Sequence, residues 1–193
     1  MRSLDIGREN GGETFSVLNP ATREEVARVA DVGASGAERA IEAAHKAFPA
    51  WSALPAAVRS EILQKAARLV RERIEDLART MTLESGKPLA ESRGELLGSA
   101  AFFEWAAEEG KRVYGRTVPA SLPDRRYFVM RQPVGVVAAI TPWNFPSAMV
   151  ARKAAPALAA GCTVVLRPAS ATPLSALGLQ QALLDAGLPP GVC

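Results

Sequence analysis

One loop, Thr141-Pro-Trp-Asn-Phe-Pro146, carries the side chain best suited to catalysis. The carboxamide of Asn144 offers neutral N–H donors, which can stabilise a developing alkoxide without titrating themselves. Pro142 and Pro146 stiffen the backbone on both sides, so the amide would be held in one geometry. Residue types alone leave two interpretations open: an oxyanion donor, or a rigid turn with a structural role.

A second polar segment, Arg167 to Ser170, is predicted to lie beside that loop. The apolar run Val134 to Ile140 is typical of a strand buried on both faces of a parallel sheet. Residues 147–160 are predicted to be a helix, 162–166 a second buried strand and 173–186 a second helix. Ligands of open α/β sheets bind beyond the carboxyl ends of the strands, so both polar segments should line one crevice.

The earlier part of the chain is predicted to hold a hairpin and a first packing helix. Residues 14–18 and 25–30 have the composition of two paired antiparallel strands. Ser35 is a candidate cap for the helix that follows, and Pro49 is expected to stop it.

Further helices and an arm are predicted before residue 133. An apolar stripe fits either one helix or two helices broken near Arg71 to Arg73. Gly86 is expected to end it in a left-handed cap, and a helix from Leu89 to Glu109 follows, with its aromatic residues mostly in the core. The β-forming residues at 113–118 and 127–132 predict an extended arm or hairpin.

Composition excludes several classes of protein. The chain has 193 residues, a net charge of +3 and basic residues interspersed with acidic ones, so nucleic acid is not an expected partner. Prolines interrupt the uncharged run from Gln132 to Ala151, which argues against a membrane span. Cys162 and Cys193 lack the spacing of a metal site or a disulfide framework, and the N-terminus lacks a signal peptide's apolar core, so we expect a cytoplasmic protein. The single histidine, His45, has no nearby partner that would make it a catalytic base.

Five segments occur in an order typical of one enzyme family. They are E-S-G-K-P-L at 84–89, F-F-E-W-A-A-E-E at 102–109, T-P-W-N-F-P at 141–146, A-R-K-A-A-P-A-L-A-A-G-C-T-V-V-L-R-P-A-S at 151–170 and G-L-P-P-G-V at 187–192. Together they resemble the aldehyde dehydrogenase superfamily, and within it the succinate-semialdehyde dehydrogenase group. The resemblance implies an α/β fold: an incomplete Rossmann-like parallel sheet with flanking helices and a β arm.

The resemblance also implies a reaction and its residues. An aldehyde would be oxidised through a thiohemiacetal on a cysteine, with hydride transfer to a nicotinamide and hydrolysis of the thioester. Asn144 matches the oxyanion-hole asparagine. The residues that match the cofactor site are Ile140, Thr141, Pro142, Trp143, Asn144, Arg167, Pro168, Ala169 and Ser170.

Three matched positions bear on specificity. A glutamate at the position of Ser170 would repel a 2′-phosphate, whereas serine is neutral and can donate, so NADP is expected in preference to NAD. Arg167 stands where the family usually has lysine, so a planar fork replaces a compact ammonium. Arg152 matches an arginine that contacts the substrate carboxylate, which makes an acidic semialdehyde such as succinate semialdehyde the expected substrate. Without the resemblance, Arg152 would read as an ordinary helix-surface residue.

The resemblance further predicts how much of an enzyme is present. Residues 1–112 would be the N-terminal hairpin and helical part of the cofactor domain, 113–132 an arm for homo-oligomerisation, and 133–193 a truncated first half of the Rossmann-like domain. The family's catalytic cysteine and glutamate base would lie beyond Cys193, and Cys162 does not match that nucleophile. We therefore expect the chain alone to be inactive; the alternative is a non-catalytic product that binds nucleotide weakly or associates with full-length subunits.

Overall fold

The computed structural model describes residues 13–193 and begins with the expected hairpin. Strand β1 (Thr14–Leu18) pairs antiparallel with β2 (Glu25–Ala30). The side chain of Asn19 closes the turn between them by accepting the backbone N–H of Ala21 at 2.9 Å. An Asx turn of this kind suits the Asn-Pro sequence that follows β1.

Four helices follow the hairpin: α1 (Gly33–Ser52), α2 (Ala56–Glu72), α3 (Ile74–Ser85) and α4 (Leu89–Gly110). The break near Arg73 and the left-handed cap at Gly86, with φ of 73°, confirm the interpretation of two helices and a glycine stop. A glycine takes this conformation at little steric cost, and Pro88 occupies the cap position of the next helix.

Two expectations about α1 are wrong. Ser35 lies inside the helix, whose cap position is Val32, and Pro49 lies in its last turn instead of ending it. Proline removes only one N–H there, and the turn is closed around it because Ala53 N and Ser52 Oγ both donate to the Pro49 carbonyl, at 3.2 and 3.1 Å.

The core lies between these helices and the C-terminal α/β unit. Its largest buried side chains include Trp51, Leu63, Met81, Phe103 and Leu158, each from a different helix. The expectation that the aromatic residues of α4 belong to the core is wrong for Trp105, which is 70% exposed. Two residues along a helix rotate by about 200°, so Trp105 projects away from the face that buries Phe103.

The predicted arm is present but shorter than expected. Strands β3 (Arg116–Val118) and β4 (Tyr127–Val129) pair antiparallel over three residues each. Phe128 and Met130 are exposed on it. An isolated two-stranded ribbon has few ladder hydrogen bonds and no covering layer, which explains why regular pairing is brief.

The C-terminal unit is a parallel strand pair with its connecting helix. Strand β5 (Val136–Ile140) pairs with β6 (Thr163–Arg167), with Val136 opposite Thr163 and Ile140 opposite Arg167. Helix α5 (Ala148–Ala159) connects the strands, and α6 (Pro173–Asp185) follows β6. The arrangement confirms the predicted β-α-β-α order.

The prediction that both faces of these strands are buried is wrong. Val137, Ala139, Val164 and Leu166 pack on the core, whereas the alternate face of β5 is open and Ile140 is 62% exposed. Side chains alternate between faces along a strand, and helix α1 packs against the open face at Thr163, whose hydroxyl donates to the Ala44 carbonyl at 3.0 Å, but leaves a groove between its first half and Ile140. The sheet is therefore covered on one face and lines a groove on the other.

Two kinds of feature are absent from residues 13–193. No helix there is both long and apolar enough to cross a bilayer. That range also contains no group of three or more His, Cys, Asp or Glu side chains placed to hold a metal ion.

Candidate active site

The two polar segments meet at the carboxyl edge of the parallel strands. The backbone N–H of Thr141 donates to the Arg167 carbonyl at 3.1 Å, which continues the ladder one step beyond β5. The hydroxyl of Thr172 lies 3.5 Å from the Trp143 carbonyl. The loop after β5 and the loop after β6 thus lie side by side, as the strand order requires.

A groove of about 830 Å³ opens along the uncovered face of the sheet. Its walls are that face, the first half of α1 and the hairpin, and four of the predicted cofactor residues contribute to it: Ile140, Arg167, Pro168 and Ser170. The other five, Thr141, Pro142, Trp143, Asn144 and Ala169, lie outside its lining. The size is that of an ordinary ligand site.

The charged side chains that line the groove favour an anionic ligand only at the end near the carboxyl edge of the strands. Arg167 and Ser170 are exposed there and carry the guanidinium and hydroxyl donors. Asp31 also lines the groove, and its carboxylate accepts the backbone N–H of Gly33 at 3.3 Å. Two donors from one loop could therefore contact a phosphate or a ribose hydroxyl.

Asn144 projects from the loop with its side chain exposed. Within residues 13–193 its carboxamide has no hydrogen-bond partner, so both N–H donors are available to a ligand. Thr141 differs, because it is buried and its hydroxyl lacks a partner in the same range. A cofactor at this loop would meet the backbone of Thr141 and not its side chain.

A lysine and a glutamate lie beneath the loop. The Lys87 ammonium donates to the Asn144 carbonyl at 3.0 Å, pairs with the Glu95 carboxylate and lies 4.4 Å from the centre of the Phe145 ring. Lys87 comes from the turn between α3 and α4, and Glu95 from the second turn of α4. The Glu95 side chain is only 2% exposed.

The same glutamate caps helix α5. One carboxylate oxygen of Glu95 accepts the backbone N–H groups of Ser147 and Ala148, at 2.9 and 3.0 Å. The Ser147 hydroxyl also lies 2.9 Å from that of Ser99. An N-terminal helix end leaves backbone N–H groups without intrahelical partners, and here a buried carboxylate from another helix satisfies two of them.

Helix α6 is capped in the same way by Glu84. Its carboxylate accepts the backbone N–H groups of Leu174 and Ser175, at 2.7 and 2.8 Å. Burial raises the pKa of Glu84 to about 7 even though these hydrogen bonds favour the ionised form. The negative charge of the nearby Glu95 also raises this pKa.

Lys87, Glu95 and Glu84 are the residues that sequence reasoning missed. Glu84 and Lys87 belong to the E-S-G-K-P-L segment, which supported the resemblance without a role for either side chain. Glu95 stands on the apolar face of α4 between buried neighbours, and a carboxylate at such a position usually has a buried partner. That signal could have identified Glu95 but not its partners.

The predicted substrate residue, Arg152, is exposed in the second turn of α5. It lies eight residues after Asn144, and within residues 13–193 its guanidinium forms no ion pair. The position is near the end of α5 that faces the loop, so its guanidinium is available to a carboxylate bound nearby.

Neither cysteine is suited to act as a nucleophile. Cys162 is buried immediately before β6, as expected for a small apolar side chain. Burial raises the pKa of the Cys193 thiol to about 11, so almost none of it is thiolate at neutral pH.

Comparison with known proteins assigns the family. The aldehyde dehydrogenase family model matches residues 7–193. The chain belongs to the aldehyde dehydrogenase family. Its sequence is 57% identical to a 3-sulfolactaldehyde dehydrogenase of Pseudomonas putida and 55% identical to the NADP⁺-dependent succinate-semialdehyde dehydrogenase of Escherichia coli K12, in each case over 95% of this chain and 38% of the relative.

Structural comparison agrees with this aldehyde dehydrogenase assignment. A crystal structure described as an E. coli NADP-dependent enzyme superposes with a TM-score of 0.93 and 55% identity, over 95% of this chain and 38% of that one. The predicted fold class, the N-terminal part of the aldehyde dehydrogenase fold, is confirmed. The chain spans just over a third of the length of the relatives it matches.

Proposed function

We propose that this chain supplies the oxyanion donor and part of the NADP site of an enzyme that oxidises an acidic aldehyde to its carboxylic acid. The observation that carries the proposal is the placement of Asn144. Its carboxamide is free, its loop lies at the carboxyl edge of the sheet, and the loop bearing Arg167 and Ser170 lies beside it.

The donor groups in the groove fit a phosphorylated dinucleotide. Arg167 can pair with a 2′-phosphate, Ser170 can donate to it, and no glutamate stands at position 170 to repel it. NADP⁺, when bound, accepts the hydride. Ile140 and Pro168 would form the apolar wall beside the adenosine, and NAD is the alternative cofactor.

Two side chains would act on the aldehyde. The Asn144 amide donates to the oxygen that becomes negative when a thiolate, supplied from outside these residues, attacks the carbonyl. Arg152 binds the remote acidic group and so orients the aldehyde carbon. Because the amide is neutral, the pH does not change its donor capacity.

The acidic group of the substrate could be a carboxylate or a sulfonate. The relatives include both a succinate-semialdehyde and a 3-sulfolactaldehyde dehydrogenase. A guanidinium fork pairs with either anion. We propose succinate semialdehyde as the substrate, with a sulfonated aldehyde as the second candidate.

The experiment uses a chimera in which residues 1–193 precede the remainder of the E. coli relative. We expect NADPH formation with succinate semialdehyde, and we expect Arg152→Ala to lower kcat/KM by about 100-fold, since a charge-assisted pair with the acidic group of the substrate is lost. For an uncharged aldehyde of similar length the loss should stay below about threefold. Lys153→Ala, which removes the neighbouring exposed cation, is the matched control.

Equal losses for the charged and uncharged aldehydes would contradict the role of Arg152. A higher kcat/KM for 3-sulfolactaldehyde than for succinate semialdehyde would favour the second candidate. The non-catalytic alternative has no specific support, because the named relatives are dehydrogenases.

Three further expectations also remain proposals. The chain is proposed to divide into three parts, residues 1–112, 113–132 and 133–193. The arm, residues 113–132, is proposed to bridge subunits in a homo-oligomer because Phe128 and Met130 are exposed on it. A cytoplasmic location is proposed, consistent with the unpaired cysteines.

A further inference from the structure

We propose that Lys87 and Glu95 are positioning residues that hold the Asn144 carboxamide in its catalytic geometry, an inference that rests on the proposed function. The pair lies under the loop, does not reach the ligand side, and contacts the loop on both sides of Phe145. A charged pair this deeply buried, with side chains 12% and 2% exposed, is costly unless its geometry is well satisfied.

The backbone around Lys87 is itself restrained. Gly86 takes the left-handed conformation that ends α3, and Pro88 occupies the cap position of α4 with φ of −56°. A residue before proline is confined to extended conformations. The Lys87 ammonium is therefore delivered to the Asn144 carbonyl from a turn with little freedom.

The ammonium has three directed contacts. It donates to the Asn144 carbonyl, pairs with one Glu95 oxygen and rests on the Phe145 ring. An ammonium offers three donors and no acceptor, and attraction to a ring face adds to the pairing. These contacts fix the peptide between Asn144 and Phe145, from which the catalytic side chain projects.

Glu95 fixes the far end of the loop. Its second oxygen accepts the N–H groups of Ser147 and Ala148, and the hydroxyl of Ser99 reinforces Ser147. One carboxylate thus connects the lysine to the start of α5. The loop is held at residue 144 and again at residues 147–148, while the carboxamide stays free.

Such support matters because an oxyanion donor must be placed to within about 0.5 Å. A displacement of about 1 Å can lower the rate by about 100-fold. A pair that only stabilised the fold would lower the amount of folded enzyme without acting through Asn144. The coupling between Lys87 and Asn144 separates these two roles.

The test uses the chimera and a double-mutant cycle. We expect Lys87→Met to lower kcat by about 10- to 100-fold with KM for succinate semialdehyde changed by less than about threefold, because the donor acts in the transition state. In the Asn144→Ala background the same change should alter kcat by less than about twofold, since the group it positions is gone. Lys111→Met, which breaks an exposed ion pair with Glu108, is the control.

A second variant avoids an unpaired buried charge. Lys87→Met with Glu95→Gln removes both charges but keeps an amide oxygen that can accept the Ser147 and Ala148 N–H groups. We expect this folded variant to lose kcat to a similar extent. A kcat within twofold of the parent, or an equal loss in the Asn144→Ala background, would overturn the inference. If Asn144→Ala itself leaves kcat unchanged, the proposed function fails instead.

Discussion

At the scale of single residues, the site depends on which polar groups are left free and which are already paired. The Asn144 amide and the Arg152 guanidinium have no partners within residues 13–193, whereas the buried Lys87, Glu95 and Glu84 side chains are all paired. In the proposed function the free donors are the groups that bind ligand, and the buried paired groups hold the backbone that carries them.

The residue that should decide the choice of cofactor is Ser170. In the chimera we expect Ser170→Glu to lower the ratio of kcat/KM for NADP⁺ to that for NAD⁺ by at least about tenfold, because a carboxylate repels the 2′-phosphate and accepts from a 2′-hydroxyl. Initial rates with each cofactor measure this ratio. Ser170→Ala is the matched control, and an unchanged ratio for Ser170→Glu would contradict the assignment.

Sequence reasoning succeeded for residues whose local context restricts them. The prolines beside Asn144 indicated a fixed loop, and the strand order indicated that it would lie next to Arg167. The roles of Lys87 and Glu95 could not be predicted, because their partners lie 57 and 52 residues away along the chain. Local patterns do not show such contacts.

At the scale of elements, each helix of the α/β unit relies on a buried glutamate from another helix. Glu95 of α4 caps α5, and Glu84 of α3 caps α6. Neither α5 nor α6 has a side-chain cap of its own. The helical layer therefore fixes the two helices that follow the site loops.

This dependence predicts a pH effect on stability. The folded pKa of Glu84 is raised to about 7 from 4.5, so its contribution is fully present below pH 4.5 and is lost as the pH rises through 7. Relative to Glu84→Gln, we expect the parent chain to lose about 3 kcal/mol of unfolding free energy between pH 4.5 and 8. Urea unfolding followed by circular dichroism measures it.

Glu61→Gln, which removes an exposed carboxylate on α2, is the control for the pH experiment. A difference between the parent and Glu84→Gln that stays constant over this pH range would show that the carboxyl group is ionised throughout. In that case the two backbone N–H groups would outweigh burial.

Element prediction failed where tertiary contacts override local signals. Pro49 was expected to stop α1, but proline removes only one N–H there, and the last turn continues with Ala53 N and Ser52 Oγ donating to the Pro49 carbonyl. The apolar β5 was expected to be covered on both faces, because composition cannot show that α1 and the hairpin leave a groove along one of them. The helices themselves and the glycine stop at Gly86, which depend on local residues, were predicted well, whereas the Ser35 cap was wrong and the glutamate caps of α5 and α6 were missed.

At the scale of the whole molecule, the chain holds binding and positioning groups but no suitable nucleophile. Cys162 is buried, and the pKa of the Cys193 thiol is raised to about 11. The chain also covers only 38% of the length of its relatives. We therefore propose that the aldehyde oxidation described above needs a nucleophile from outside these 193 residues.

We expect the purified 193-residue chain to form no NADPH with succinate semialdehyde, because Cys162 is buried and the raised pKa of Cys193 leaves almost none of its thiol as thiolate at neutral pH. Absorbance at the NADPH maximum measures it, and the chimera provides the active reference. Turnover by the chain that disappears in a Cys193→Ser variant would contradict this expectation.

The central claim is that Asn144 supplies the oxyanion donor, and the chimera's kcat tests it most directly. Gln181→Ala, which removes an exposed carboxamide on α6, should leave the rate unchanged and serves as the control. We expect Asn144→Ala to lower kcat for succinate semialdehyde by about 100- to 1000-fold while KM changes little, since the donor is used in the transition state. A kcat within about threefold of the parent in correctly folded enzyme would contradict the account.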